Sequence, residues 1–308
     1  MSPAAIGIGS AFLAFFIWGF LPLYLKLLGS LGSWEILAHR MVWSLLFLAG
    51  LLTVLKQWRW LKPTLRSRRL IVLSTVAALL LSANWITYIW AVNSGFIVNA
   101  SLGYFINPLI SVLLGFLFLQ ERMRSVQWLS VALAASGVVY LTISMGELPW
   151  IALVLGFSFG FYGLLRKQSV LNSPNGLTLE TMILSLPALA YLLWLEADGS
   201  GAFLHSSLSQ NLLMIGTGVI TATPLLLFAH AAQRIPLATL GLLQYTAPSI
   251  QLLLGVFLYD EPFGGDRMIA FGLIWTALAI YSGEGLLRMR RRPKPAAASE
   301  AVIDARPV

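Results

Sequence analysis

The sequence predicts an all-α integral membrane protein with ten transmembrane helices, arranged as two inverted five-helix repeats. The first observation behind this is composition. Of 308 residues, 58% are hydrophobic and only 10% charged, with a mean hydropathy of +0.82. A soluble domain with that balance would lack the polar surface to cover itself. The second is a series of apolar segments, each of roughly 20 residues, enough to cross a hydrocarbon core of about 30 Å. They centre near Phe16, Ser44, Ser82, Leu109, Ala135, Phe159, Pro187, Val219, Pro248 and Ala277. The third is an internal repeat. Ala100-Ser101-Leu102-Gly103, followed by Pro108, Gly115 and Glu121, recurs as Ala238-Thr239-Leu240-Gly241, followed by Pro248, Gly255 and Glu261. The second Pro, Gly and Glu each lie 140 residues after the first.

The repeat extends to the other spans. Gly19-Phe20 and Lys26 in the first span match Gly160-Phe161 and Lys167 in the sixth at an offset of 141. Ala91 and Ile97 match Ala229 and Ile235 at an offset of 138. One unit therefore holds five spans, and an odd number makes the second copy enter the bilayer from the opposite face. That arrangement suits a protein that opens to one side and then to the other. The domains expected are a first repeat at residues 1–146, an inverted repeat at 147–287, and a basic, disordered cytoplasmic tail at 288–308.

Taken in order, the first apolar stretch (about residues 4–28) has no basic leader and no small-residue cleavage site, so it reads as a retained span. The loop between the second and third spans, residues 56–69 (KQWRWLKPTLRSRR), is strongly basic. The seam between halves falls at residues 146–149, and residues 197–210 form a Gly/Ser-rich loop without Lys or Arg. With the N-terminus inside, 17 of the 20 Lys and Arg lie in inner loops or the tail. Only Arg267 lies in an outer loop, while Lys26 and Arg40 sit within or at the edge of spans. Both termini are thus expected in the cytoplasm. The net charge of +8 is mostly this topology signal, with anionic lipid as the partner of the basic loops and no nucleic acid implied. With no cysteine, the chain has no disulfide framework and no thiolate metal site.

Several stretches together carry a family resemblance. They are residues 35–44 (EILAHRMVWS), 84–93 (NWITYIWAVN), 100–109 (ASLGYFINPL), 157–167 (FSFGFYGLLRK), 223–228 (TPLLLF) and 240–248 (LGLLQYTAP). They touch most spans, and with them the chain resembles the EamA family of the drug/metabolite transporter superfamily, within it the RarD type named for chloramphenicol sensitivity. The resemblance implies ten helices, an inner-membrane location and an exporter, with no substrate fixed by the family.

A polar side chain in lipid is expensive and is a functional candidate by default. Glu35 and His39 share a face of the second span, with Arg40 about 100° round the helix and several residues below the outer surface. Arg40 and His39 are expected at the outer mouth of a cavity, where they would attract anionic or polar solutes. The alternatives are that Glu35 caps the helix start and that Arg40 reaches outward to the interface. Asn84 and Tyr88, four residues apart and flanked by Trp85, form a polar-aromatic stripe. Asn84, Trp85, Tyr88, Tyr104, Asn107, Gln244 and Tyr245 are the expected cavity lining, although interhelical hydrogen bonding would use the same residue types.

Prolines at Pro22, Pro108, Pro187, Pro224 and Pro248 free the carbonyls of Trp18, Tyr104, Ile183, Ile220 and Gln244 from their helix partners. In lipid those oxygens need a neighbour, a water or a ligand, which adds Trp18 to the cavity set. Pro108 and Pro248 are repeat-related and are the expected hinge pair, the alternative being two static kinks.

Gly156-Phe157-Ser158-Phe159-Gly160 matches the G-x-S-x-G pattern of hydrolases. That chemistry needs a strained strand-to-helix turn and a following Asp/Glu and His. Here the motif lies in an apolar span with its glycines four apart, which reads as a packing seam. There is no H-E-x-x-H, no carboxylate cluster and no P-loop, so no catalytic residue, metal site or cofactor is expected. A secondary transporter of small amphipathic metabolites or drugs accounts for the repeat, the paired prolines and the polar lining. A structural or receptor-like membrane protein accounts for the spans alone, and an intramembrane serine hydrolase for one motif. Uphill movement would draw on an ion gradient or on counter-exchange, and substrate and oligomeric state are not written in the sequence.

Overall fold

The computed structural model describes residues 3–120, 122–171, 173–232, 234–235 and 243–291. The first half contains α1 (Pro3–Leu27), α2 (Ser33–Val54), the short α3 (Leu61–Leu65), α4 (Arg68–Asn93), α5 (Ile97–Leu119) and α6 (Ser125–Met145). The second contains α7 (Trp150–Gln168), α8 (Ser173–Asp198), α9 (Leu208–Ala232), α10 (Thr246–Leu253) and α11 (Asp266–Arg291). A π-helical turn (Leu254–Leu258) continues α10. No strand occurs among the described residues.

Each expected span centre falls within one of these helices. Seven of them (α1, α2, α4, α5, α6, α8 and α9) are long and apolar enough to cross a membrane. α7 and the α10–π unit are shorter apolar helices. The basic loop contains α3, and α11 runs on through Arg291, so the first four residues of the expected tail are helical. The remainder of that tail (292–308), the repeat motif at 238–241 and Glu121 lie outside the described residues. Large apolar side chains such as Leu186, Leu193, Ile143 and Phe257 are exposed, as a lipid-facing surface requires.

The two halves are interleaved. Each principal pairing (α5–α7, α1–α10, α1–α9, α4–α7, α2–α9, α4–α8, α2–α8, α5–α10 and α6–α11) joins one half to the other. Exchanging the halves, so that α1, α2, α4, α5 and α6 become α7, α8, α9, α10 and α11, leaves this set of pairings unchanged. Atomic details repeat too. A methyl group on Gly160 would come within 2.9 Å of Ile110 in the α5–α7 seam, and one on Gly19 within 2.8 Å of Ile250 in the α1–α10 seam. Gln120 and Asp260, 140 residues apart, both end their helices in the left-handed region, at φ 55° and 51°. A left-handed residue terminates a helix by turning the chain out of its axis.

Close approach at the seams comes from glycine. Gly103 faces α7 so tightly that an added methyl would lie 2.7 Å from the Ala152 carbonyl oxygen. Gly156 and Gly160 receive Ile110 and Leu114 from α5. Small residues here let two backbones meet and gain dispersion contacts that lipid cannot match.

Polar groups displaced from regular helix bonding find partners across the halves. Pro22 lies inside α1 and leaves the Trp18 carbonyl without its helix donor. The Gln251 side-chain amide of α10 donates to that oxygen at 3.0 Å. At the other end of α10, Glu261 reaches the start of α5, where its two carboxylate oxygens accept from the Ile97 and Val98 N–H groups at 2.7 and 2.8 Å. A carboxylate so placed satisfies two of the unpaired donors of a helix start and complements its positive end. Burial pushes the Glu261 carboxyl up from its usual range, and the two N–H groups pull against that shift. Glu35 does not cap its own helix, since its oxygen accepts instead from the Ala202 N–H at 2.8 Å and ties the 199–207 loop to α2.

Two stability outcomes follow. Gly103→Ala is expected to destabilise the purified protein by about 1–3 kcal/mol through overpacking, whereas Gly9→Ala, with open space around it, should not lower the melting temperature. Gln251→Leu strands the Trp18 oxygen in an apolar environment and is expected to cost about 1–3 kcal/mol. Thermal unfolding in detergent measures both, and an unchanged Gln251→Leu melt would mean that the amide does not hold α1 to α10.

Candidate functional site

Between the halves lies a cavity with about 810 Å³ of empty space, its open part included. α1, α2, α4 and α5 supply one wall, and α7, α9 and α10 the other. Most of the lining is apolar or aromatic. Phe15, Trp18 and Phe228 form one cluster, with ring centroids 5.6–6.0 Å apart. Tyr88 and Tyr104 meet edge to face at 5.7 Å, and Tyr104 meets Phe159 at 6.4 Å.

Asn84 organises the polar side. Its side-chain N–H₂ donates to the Leu155 carbonyl at 2.9 Å and to the Ser158 hydroxyl at 3.0 Å, and its oxygen accepts from the Tyr104 hydroxyl at 3.1 Å. One amide thereby ties α4 to α7 and fixes the ring of Tyr104 on α5. Both expected uses of Asn84, lining a cavity and bonding helices together, are present in the same side chain.

Arg40 is the cation of this wall and is 3% exposed. Its Nε donates to the Thr221 hydroxyl on α9 at 3.0 Å, and its guanidinium lies over the Trp85 ring, 4.7 Å from the centroid. A guanidinium stacked on an aromatic face keeps part of its stabilisation without water. Its Nη1, the Tyr88 hydroxyl and the Gln251 carbonyl oxygen are buried without hydrogen-bond partners. Buried polar atoms are rarely left unpaired.

Of the expected lining, the structure brings Trp18, Arg40, Asn84, Trp85, Tyr88, Tyr104 and Gln244 together at this cavity. It places His39, Asn107 and Tyr245 elsewhere, and helix phase is the reason. His39 precedes Arg40 by one position and lies about 100° away round the helix. It packs under Phe203 at 5.4 Å and accepts from the Trp43 indole at 3.2 Å. Asn107 faces the α7 seam near Gly160. Tyr245 stacks on Phe105 at 6.4 Å and bonds Ser282 of α11. Arg40 is enclosed in the wall between α2, α4 and α9.

The structure adds Thr221 and Gln251 to the polar lining. Gln251 had a signal in the sequence, as an amide in an apolar span three residues after Pro248. Thr221 had none, since a threonine in a span ordinarily bonds its own helix. α5 is continuous through Pro108. Pro248 lies in the first turn of α10, whose preceding residue Tyr245 also has right-handed helical backbone angles. Ser158 sits 7% exposed, accepting from Asn84 and donating to the Leu155 carbonyl, so its hydroxyl is engaged in structure.

A family model described as the EamA-like transporter family matches residues 5–143 and again residues 148–283. The chain is 45% identical over 298 residues to "Protein RarD" of Streptomyces exfoliatus, covering 96% of this chain and 95% of that one. It is 47% identical over 273 residues to "Uncharacterized transporter YojE" of Bacillus subtilis strain 168, covering 87% and 91%. A solved structure titled "Crystal structure of protein" superposes with a TM-score of 0.60 at 20% identity, covering 94% of this chain and all of that one, which shows a shared fold. With two matches that together span nearly the whole chain, and with relatives named RarD, the protein belongs to the EamA-like transporter family.

Proposed function

We propose that the protein is a secondary transporter that exports small amphipathic solutes across the inner membrane by alternating access. The observation that carries this reading is the central cavity, whose walls come from both halves and whose polar groups are incompletely paired. Relatives named as transporters agree with it. In this reading ten helices span the bilayer with both termini in the cytoplasm, and the two halves are inverted copies. The exchange-invariant packing, the matched Gly160–Ile110 and Gly19–Ile250 contacts and the matched left-handed residues support the repeat.

Alternating access needs the halves to trade conformations. Outer access in this state is restrained by Glu261, which holds the start of α5 to the end of the α10–π unit.

Flux into and out of proteoliposomes tests the function. A panel of labelled aromatic solutes should include members that cross faster than in empty vesicles, and flux indistinguishable from empty vesicles for the whole panel would refute transport. Reporter fusions after Arg69 and Leu287 are expected to read cytoplasmic and one after Ser200 exterior, while opposite signals at Arg69 and Leu287 would overturn the ten-span count. Pro108→Ala and Pro248→Ala are each expected to cut flux severalfold with expression retained, since alanine restores a backbone donor and favours helix. Cysteines introduced into this cysteine-free chain should label from opposite sides in the two variants. Full flux in the double variant would make the kinks static.

A further inference from the structure

We infer that the cavity takes a small organic monoanion, a carboxylate attached to an aromatic or apolar body, with the carboxylate docked at Arg40. This deepens the transporter reading and rests on it. The argument begins with charge. Arg40 is 97% enclosed, and among the described residues no carboxylate pairs with it; its recorded partners are Thr221, the Trp85 face and the electrostatic neighbours Tyr88 and Tyr104. A guanidinium withdrawn from water without a counter-charge is costly, and a lone cation inside a membrane bundle that faces a cavity marks a path or a binding site. The aromatic face and the hydroxyl of Thr221 lower that cost without cancelling the charge.

The free groups define what would complete the site. Arg40 Nη1 and the Tyr88 hydroxyl are unpartnered donors, both on residues that line the cavity and are at most 3% exposed. A carboxylate has two oxygens and accepts from two such donors, forming the stronger, charge-assisted kind of hydrogen bond with the guanidinium. One cation in an otherwise uncharged lining balances one negative charge, so a phosphate dianion would carry excess charge into a low-dielectric space. An amino-acid zwitterion would bring an ammonium, and among the described residues no Asp or Glu lines the cavity to receive it. The far part of the solute meets Trp18, Phe15 and Phe228, and the unpartnered Gln251 oxygen offers an acceptor to a ring N–H or hydroxyl.

The test uses the full-length purified protein and three probes that share one ring: indole-3-acetate, its neutral isostere indole-3-acetamide, and the cation tryptamine. Titration calorimetry measures binding, and proteoliposome flux is run beside it. The acid is expected to bind at least about tenfold more tightly than the amide, and tryptamine more weakly still. Arg40→Met should remove the preference for acid over amide, and Arg40→Lys should restore part of it. Tyr88→Phe, which deletes one oxygen, should weaken the acid severalfold and the amide less than twofold. Size-exclusion profiles and melting temperatures establish that each variant is folded, and the Tyr88→Phe result carries the question if Arg40→Met is not. Binding of the acid no tighter than the amide, no binding of the acid, or an unchanged preference in folded Arg40→Met or Tyr88→Phe would overturn the inference. Flux of the amide without preference for the acid would leave transport standing and remove only the anion. Acid binding without flux of any probe would do the reverse.

Discussion

Inside a hydrocarbon layer no water is on hand to satisfy a polar group, and much of this architecture answers that constraint. The Trp18 carbonyl, displaced by Pro22, is taken by Gln251, and the first N–H groups of α5 are taken by Glu261. The Asn84 amide is used up by Leu155, Ser158 and Tyr104. These partners lie far apart in sequence, mostly across the two halves, so the satisfaction of polar groups and the association of helices are one process. Against that background, unpaired groups are informative. Arg40 Nη1, the Tyr88 hydroxyl and the Gln251 oxygen belong to side chains that line the same space.

The cavity exists because packing is tight on either side of it. Glycines bring α5 to α7 at backbone contact and let the Ile250 side chain of α10 pack against α1. Large residues then stand off from one another where the halves face each other, and aromatic rings fill the margin without closing it. A site assembled in this way inherits its shape from the register of two helix pairs.

Much of this was legible in the sequence, for identifiable reasons. Helix positions could be read because an apolar run of span length has few alternatives. Arg40, Asn84 and Tyr88 could be read because polar groups at mid-span stand out. What could not be read was rotation. His39 and Tyr245 each adjoin a cavity residue along the chain, yet a single step turns a side chain about 100° and delivers it to a different neighbour. Asn107 was lost to the seam for the same reason, as α5 shows α7 one face and the cavity another. Glu261 was visible as a repeated residue, but its partners at Ile97 and Val98 come from folding. Gln251 needed two facts together, the carbonyl freed by Pro22 and the contact of α1 with α10, and only the first is local.

The interleaving of the halves bears on how the chain is made. Each helix of the first half finds its main neighbours among helices synthesised later, and α6 meets its principal partner only in α11, the last of all. The early helices can enter the bilayer one by one, since each satisfies its own backbone, but they have little to pack against when they arrive. Until the second half is made, Arg40 lacks Thr221 and the start of α5 lacks its carboxylate. Assembly is thus post-insertional and dominated by distant contacts, a topology that folds slowly. A chain cut short before α7 would leave the first-half helices without their main packing partners, a ready substrate for quality-control proteolysis.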